Sequence, residues 1–204
     1  EYKIGHEHLE ILADLSHLEA LAKSAAPPFV LRRLEHGRGV KLVLYVWEKL
    51  SLSRLMPIFS NLRVLVEEEE TYEVRLPERP AFMHTFLLHP PPGGTLEPER
   101  DQEPLRRLIF NILANRSEND PLNALLLSAG FEWRQVHLLQ LYRNYLMQVG
   151  TVYTKSTINE TLIRRPRATR ALFQVFRARL DPDLEGREAA QREARAEMED
   201  AERE

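Results

Sequence analysis

Over residues 6–23 the apolar positions recur at helical spacing. Ile11, Leu15, Leu18 and Ala22 share a stripe that Leu12 and Leu21 widen, with acids and histidines elsewhere, which predicts an amphipathic helix. Pro27 and Pro28 end it, and a connector leads to a turn at Gly37 and Gly39. The period then changes. VKLVLYV, residues 40–46, is short, β-branched and aromatic, with apolar residues on both faces, as in a largely buried strand. Ser51 or Ser53 can cap a helix whose face is Leu52, Leu55, Met56 and Phe59, with Pro57 limiting or kinking it. Residues 63–74 read as a second strand and residues 81–88 as a third, before Pro90, Pro91, Pro92, Gly93 and Gly94 break the chain. Beyond the break, Leu105, Leu108, Ile109, Ile112 and Leu113 predict a helix over residues 104–115 with one buried face.

Residues 117–150 carry the densest pattern. Asp120 before Pro121 reads as an N-cap and first helical residue, since the carboxylate accepts orphan N–H groups and proline lacks a donor that would go unused there. Leu122, Leu125, Leu126 and Ala129 form one stripe, and Gly130 can take the left-handed conformation that ends a helix. From Trp133 the pattern restarts. Val136, Leu139, Tyr142, Leu146 and Val149 lie on one side, widened by Leu138, Leu141 and Tyr145, until Gly150 stops it. Two helices are therefore expected to pack through a corner at Gly130. Residues 153–164 suggest one more helix, and Pro166 opens another with Leu172, Phe173, Phe176 and Leu180 on its inner face. Residues 186–204 have high helix propensity but, besides Met198, almost no large apolar side chain, so they are expected to bury themselves poorly.

The expected fold class is α+β. Strand, helix, strand, strand, helix is an incomplete ferredoxin-like βαββα unit, with no fourth strand following and the set either incomplete or completed elsewhere. A helical, bundle-like motif comes next. The organisation read from the chain is an N-terminal helix and connector (1–36), the α+β unit (37–116), the helical motif (117–182) and a charged helical tail or connector (183–204).

Composition narrows the functional classes. The 204 residues suffice for one core or two small domains. No apolar run is long enough to cross a bilayer and no signal peptide opens the chain, so no membrane role is expected. The absence of cysteine excludes disulfides, thiolate nucleophiles and cysteine-ligated metals, and a cytoplasmic location is the expectation. Net charge is −3, but residues 181–204 hold ten acids against four arginines, which leaves the rest slightly positive. So small an excess predicts no nucleic-acid partner. The chain starts with Glu1 rather than Met, and is read as a piece of something longer.

Glu118, Asn119, Asp120, Asn123, Ala129, Gly130, Trp133, Arg134, Tyr142, Tyr145, Gln148, Gly150, Phe176, Arg179, Asp181 and Pro182 stand in an order that resembles the helical segment preceding the catalytic core of the large, NAD-specific glutamate dehydrogenases of bacteria. Leu44, Tyr45, Leu52, Ser53, Pro57, Asn61, Leu62, Val64, Glu68, Tyr72, Glu73 and Val74 resemble a second, ACT-like part of the same region. Arg54 stands where the resemblance leads one to expect an acid, and a short glycine-containing piece is missing between Leu62 and Arg63. The resemblance implies a non-catalytic regulatory or oligomerisation fragment, with the rest of the parent chain and homo-oligomer contacts as partners. It also implies a parent enzyme that oxidatively deaminates L-glutamate to 2-oxoglutarate and ammonia, with NAD bound outside this chain. The alternative is a stand-alone amino-acid sensing or adaptor module without catalysis.

The residues themselves offer little chemistry. The glycines make neither GxGxxG nor a P-loop, so no cofactor is expected in this fragment. No GxSxG elbow or HExxH spacing occurs, so catalytic and metal residues are expected to be none. Glu118, Asn119 and Asp120 read as a helix cap and corner rather than a carboxylate pair, with Glu118 and Asn123 as ties to a neighbouring helix or subunit. Trp133 and Arg134 read as core packing with an ion pair, against an anion contact. Tyr142, Tyr145 and Gln148 complete the structural and interaction candidates. An ACT-type unit would take a small amino-acid effector at its first strand-to-helix loop, residues 47–53, which has no glycine to let a ligand approach the backbone.

Overall fold

The computed structural model describes residues 8–23, 26–34, 39–91, 94–201 and 203, without the side chains of residues 8–10. The turn expected at Gly37 and the start of the helix expected from residue 6 lie outside the described residues. The chain divides into two units, Glu1–Asn119 and Asp120–Glu204.

In the first unit the double-sided apolar run of β2 (Val40–Val46) lies inside a sheet covered on both faces. Helix α1 (His8–Lys23) and β1 (Phe29–Arg33) precede it, and α2 (Leu52–Asn61), β3 (Leu65–Arg75), β4 (Pro80–His89) and α3 (Pro98–Leu113) follow. The sheet is antiparallel in the order β1-β2-β4-β3. β2 and β3, joined by α2, flank β4, which is the expected βαββα set. The set is not incomplete. The residues read as a connector after Pro28 form β1, which pairs Phe29 with Leu44 and Leu31 with Leu42 and takes the edge that a strand after α3 would have filled.

On one face Phe59 of α2 meets Phe86 with ring centroids 4.9 Å apart, and Phe110 of α3 meets Phe29 at 6.4 Å. The Gln102 side-chain oxygen accepts the Leu31 N–H at 2.9 Å. The other face packs Val43, Tyr45, Ala81 and Met83 against Leu18 and Leu21 of α1. The stripe expected on α1 is rotated, so that Leu12, Leu15 and Ala22 face solvent and Asp14 is buried. Asp14 accepts from the Tyr45 hydroxyl and from Arg32 Nη2 at 3.3 Å, and these bonds set the rotation.

One buried face and two boundaries differ from expectation. Helix α2 buries Leu55, Ile58 and Phe59 and exposes Leu52 and Met56. Its end is closed by Arg63 at φ 59°, with Arg63 N–H to Ser60 O at 3.0 Å and Val64 N–H to Phe59 O at 3.2 Å. An arginine thus holds the left-handed position usually given to glycine. β3 accordingly starts at Leu65 and carries a register shift between Val66 and Glu68. Helix α3 begins at Pro98 rather than at residue 104, because the Asp101 carboxylate accepts the Glu97 N–H at 2.7 Å and acids occupy its first turn.

In the second unit a 3-10 turn, Pro121–Ala124, runs into α4 (Leu125–Ser128), where a single helix was expected. Gly130 at φ 63° makes the corner, and a Glu132–Gln135 capping box opens α5 (Trp133–Gln148). Then come α6 (Lys155–Arg164), α7 (Pro166–Leu180) and α8 (Arg187–Ala201). Leu122, Leu125, Phe131, Val136, Ile163 and Phe173 build the core. On α7, Leu172 and Leu180 are exposed, and Thr169, Ala171, Phe173 and Ala178 turn inward. The tail does bury a face: α8 packs on α7 through small residues, Ala194 and Ala201, and Gln191 donates to Ala178 O at 3.2 Å. No helix among the described residues is long and apolar enough to cross a membrane.

Candidate functional site

The C-terminal half of helix α5 is built with its polarity reversed. Only Val136, Gln140 and Arg143 are buried, an i, i+4, i+7 stripe, whereas Leu141, Tyr142, Tyr145, Leu146 and Val149 face outward. The cause is Asp120. Its carboxylate is 2% exposed, accepts the Leu122 N–H at 2.9 Å, and cannot remain ionised there without a countercharge. Arg143 Nη1 supplies it, donating to Asp120 Oδ1 at 2.7 Å and to Asn159 Oδ1 at 2.8 Å, while Lys155 Nζ stands 3.5 Å from Oδ2. Two further guanidinium donors go to Asn144 Oδ1, at 3.2 Å from Nε and 2.9 Å from Nη2. Beside this pair, Gln140 donates to Asn123 Oδ1 at 3.0 Å, both side chains fully buried.

Burial is the strongest influence on Asp120 and pulls its pKa upward. The hydrogen bonds from Arg143 and Leu122, with the charges of Arg143 and Lys155, outweigh it and hold the carboxyl below the usual carboxylate range. An acid so saturated with donors is poorly placed to exchange protons with a substrate. Its chemistry is that of a lock holding the corner to α5 and α6.

The structure distributes the candidate residues unevenly. Asp120 and Asn123 enter the buried polar layer. Glu118 is exposed, and Asn119 Oδ1 accepts from Asn61 at the end of α2 at 2.8 Å. Arg134 lies 5.3 Å over the half-buried Trp133 ring, and Tyr142 packs edge-on to Phe176 at 4.7 Å. Tyr145 and Gln148 point outward. Arg143, Gln140, Asn159 and Lys155 had no place among the candidates. The available signal was that Arg143 is the one arginine, lysine or acid in residues 135–153.

A second polar relay crosses the first unit. His84 is fully buried, and its Nε2 accepts the Leu50 N–H at 3.1 Å in the loop between β2 and α2. Nδ1 therefore carries the proton and donates to Thr71 Oγ1 at 2.8 Å, which in turn donates to Glu69 at 2.5 Å. Burial, helped by Lys49, lowers the His84 pKa against the opposing pull of Glu69. A lowered imidazole pKa means that, below the ordinary value of about 6.5, the unfolded chain takes up a proton that the folded chain refuses. Stability is therefore complete above that pH and falls as the solution is acidified through the window beneath it. Asp120 adds a separate loss only below about pH 4, where its unfolded carboxylate titrates. Melting curves of the chain and of His84→Gln from pH 7.5 to 5 should show a shallower acid slope for the variant, with His17, also lowered by burial, supplying the remainder. Equal slopes would refute the role of His84.

Among the described residues no group of three histidine, aspartate or glutamate side chains is arranged to hold a metal. A family model described as the glutamate dehydrogenase ACT3 domain matches residues 30–100, and another, glutamate dehydrogenase helical motif 3, matches residues 117–182. The chain belongs to the NAD-specific glutamate dehydrogenase family. The ACT3 match takes in nearly all of β1, and the helical-motif match spans the Asp120–Arg143 lock. The NAD-specific glutamate dehydrogenase of Mycobacterium tuberculosis is 35% identical over 201 residues, 96% of this chain and 12% of that protein. That of Halomonas elongata is 31% identical over 172 residues, 83% and 11% respectively. That of Pseudomonas aeruginosa is 30% identical over 131 residues, 64% and 8%. The chain thus spans a small part, 8% to 12%, of the length of the relatives it matches.

Proposed function

We propose that this chain is a non-catalytic regulatory and subunit-organising region of a cytoplasmic, NAD-dependent glutamate dehydrogenase. The parent enzyme oxidatively deaminates L-glutamate to 2-oxoglutarate and ammonia, and hydride transfer takes place in a core outside this chain. The observation that carries this reading is the saturation of Asp120 by Arg143, Lys155 and the Leu122 N–H, which commits the helical motif's buried acid to holding helices together. The sequence also lacks the glycine fingerprint that cradles a dinucleotide. The purified chain, supplied with L-glutamate and NAD, is expected to produce no NADH above the enzyme-free blank. Sustained turnover dependent on both substrates would overturn the reading.

A further inference from the structure

We infer that His84 is an acid-released latch: taking up a proton frees the loop between β2 and α2 while the sheet stays folded. The inference gives the regulatory role above a moving part and rests on that reading for its use, though not for its geometry. The loop is fixed at both ends. At one, Arg79 lies 3.9 Å over the Trp47 ring; at the other, Arg54 donates to the Leu113 carbonyl at 2.9 Å and Leu55 is wholly buried. Between them Glu48, Lys49 and Ser51 are exposed, and the Ser51 side chain caps no backbone N–H of α2. Among the described residues, the bond from Leu50 N–H to His84 Nε2, at 3.1 Å, is the one hydrogen bond that ties this span to the sheet.

An imidazole nitrogen accepts such a bond only while it carries no proton. Nδ1 is committed to Thr71, which donates in turn to Glu69, so an added proton has its place at Nε2. Two donors then face each other across 3.1 Å beside a fully buried ring, and they must separate. On the β3 side the opposite happens. Glu69 Oε1 lies 3.9 Å from Nδ1, and its charge holds the imidazolium toward Thr71. The part that yields is therefore the loop.

The charges around His84 make protonation and opening reinforce each other. Burial and Lys49 oppose the imidazolium, and Glu69 favours it. Leu44, the partner of His84 on β2, and Leu55, Ile58 and Phe59, which α2 buries, carry no charge. Opening takes Lys49 away and lets solvent reach the ring, while Glu69 stays on β3. The proton thus binds the open loop more tightly than the closed one. By linkage, acid favours opening below the ordinary imidazole value of about 6.5.

Amide hydrogen exchange of the full chain, followed by NMR with intrinsic rates divided out, tests the latch. Protection of the Leu50 amide is expected to be about tenfold lower at pH 5 than at pH 7.5, and to lie well below that of amides inside β2 and β4 at both. In His84→Gln, whose side-chain amide takes up no proton in this range, Leu50 protection should be the same at the two pH values. Lys49→Glu changes an exposed residue and should shrink the loss, since a carboxylate on the loop favours the imidazolium in the closed form. The latch is overturned by Leu50 protection that holds at pH 5, that falls as far in His84→Gln as in the parent chain, that Lys49→Glu leaves as pH-dependent as before, or that equals the protection of the strand amides. None of these results touches the non-catalytic reading, which stands or falls on NADH production.

Discussion

Arg143→Met is expected to cost the second unit about 3–5 kcal/mol, because it leaves the Asp120 carboxylate buried without its countercharge. Methionine keeps much of the stem's apolar bulk and deletes every donor, so the loss reports the charge more than a cavity. Lys155 is no substitute: its ammonium stands 3.5 Å from Oδ2 and is half exposed. Adding Asp120→Asn to the variant should recover part of the loss, since an amide still caps the turn without stranding a charge. Urea unfolding of the four chains of this cycle measures the coupling. A loss below about 1 kcal/mol for Arg143→Met would place the pair among weak surface bridges and remove the lock.

Phe86→Ala should be comparably severe in the first unit, at about 3–5 kcal/mol. Phe86 is wholly buried at the centre of the sheet, with Phe59 of α2 at 4.9 Å and the His84 ring stacked beside it at 6.5 Å. Its removal opens a cavity between β4 and α2 that neither element can collapse to fill, because β4 is paired on both edges. Thermal and urea unfolding should both register the loss. A change within about 0.5 kcal/mol, the range of ordinary surface substitutions, would show that α2 does not depend on this contact.

How far the sequence alone reveals this fold depends on where each signal had to come from. β2 and β4 were legible because their runs are dense in apolar and aromatic residues, broken only by Lys41 in one and by His84 and Thr85 in the other, and their partners cover both faces. β1 was hidden: Phe29 and Leu31 alternate over only five residues, between two prolines and a charged, glycine-containing stretch of sequence, and their meaning depends on pairing with Leu44 and Leu42. The start of α3 could be read at either proline, and the acids after Pro98 decided it through the Asp101 bond to Glu97. On α5 the ordinary rule of burying apolar residues pointed the wrong way. Burying Asp120 without a guanidinium costs more than exposing Tyr145 and Leu146, and hydrophobic periodicity cannot register an acid 23 residues upstream. Asp120 was legible as a cap because capping is local. Its role as an anchor for Arg143, Asn159 and Lys155 belongs to tertiary structure.

The placement of β1 ahead of β2 bears on how the protein is made. Every strand of the sheet lies between Phe29 and His89, so all four are synthesised, and leave the ribosome, ahead of α3. Had the edge strand followed α3, pairing would have waited for a distant segment to return across the nascent chain. With a hairpin at that edge instead, the most separated partners come together without closing so long a loop, and α3 arrives at a surface already assembled.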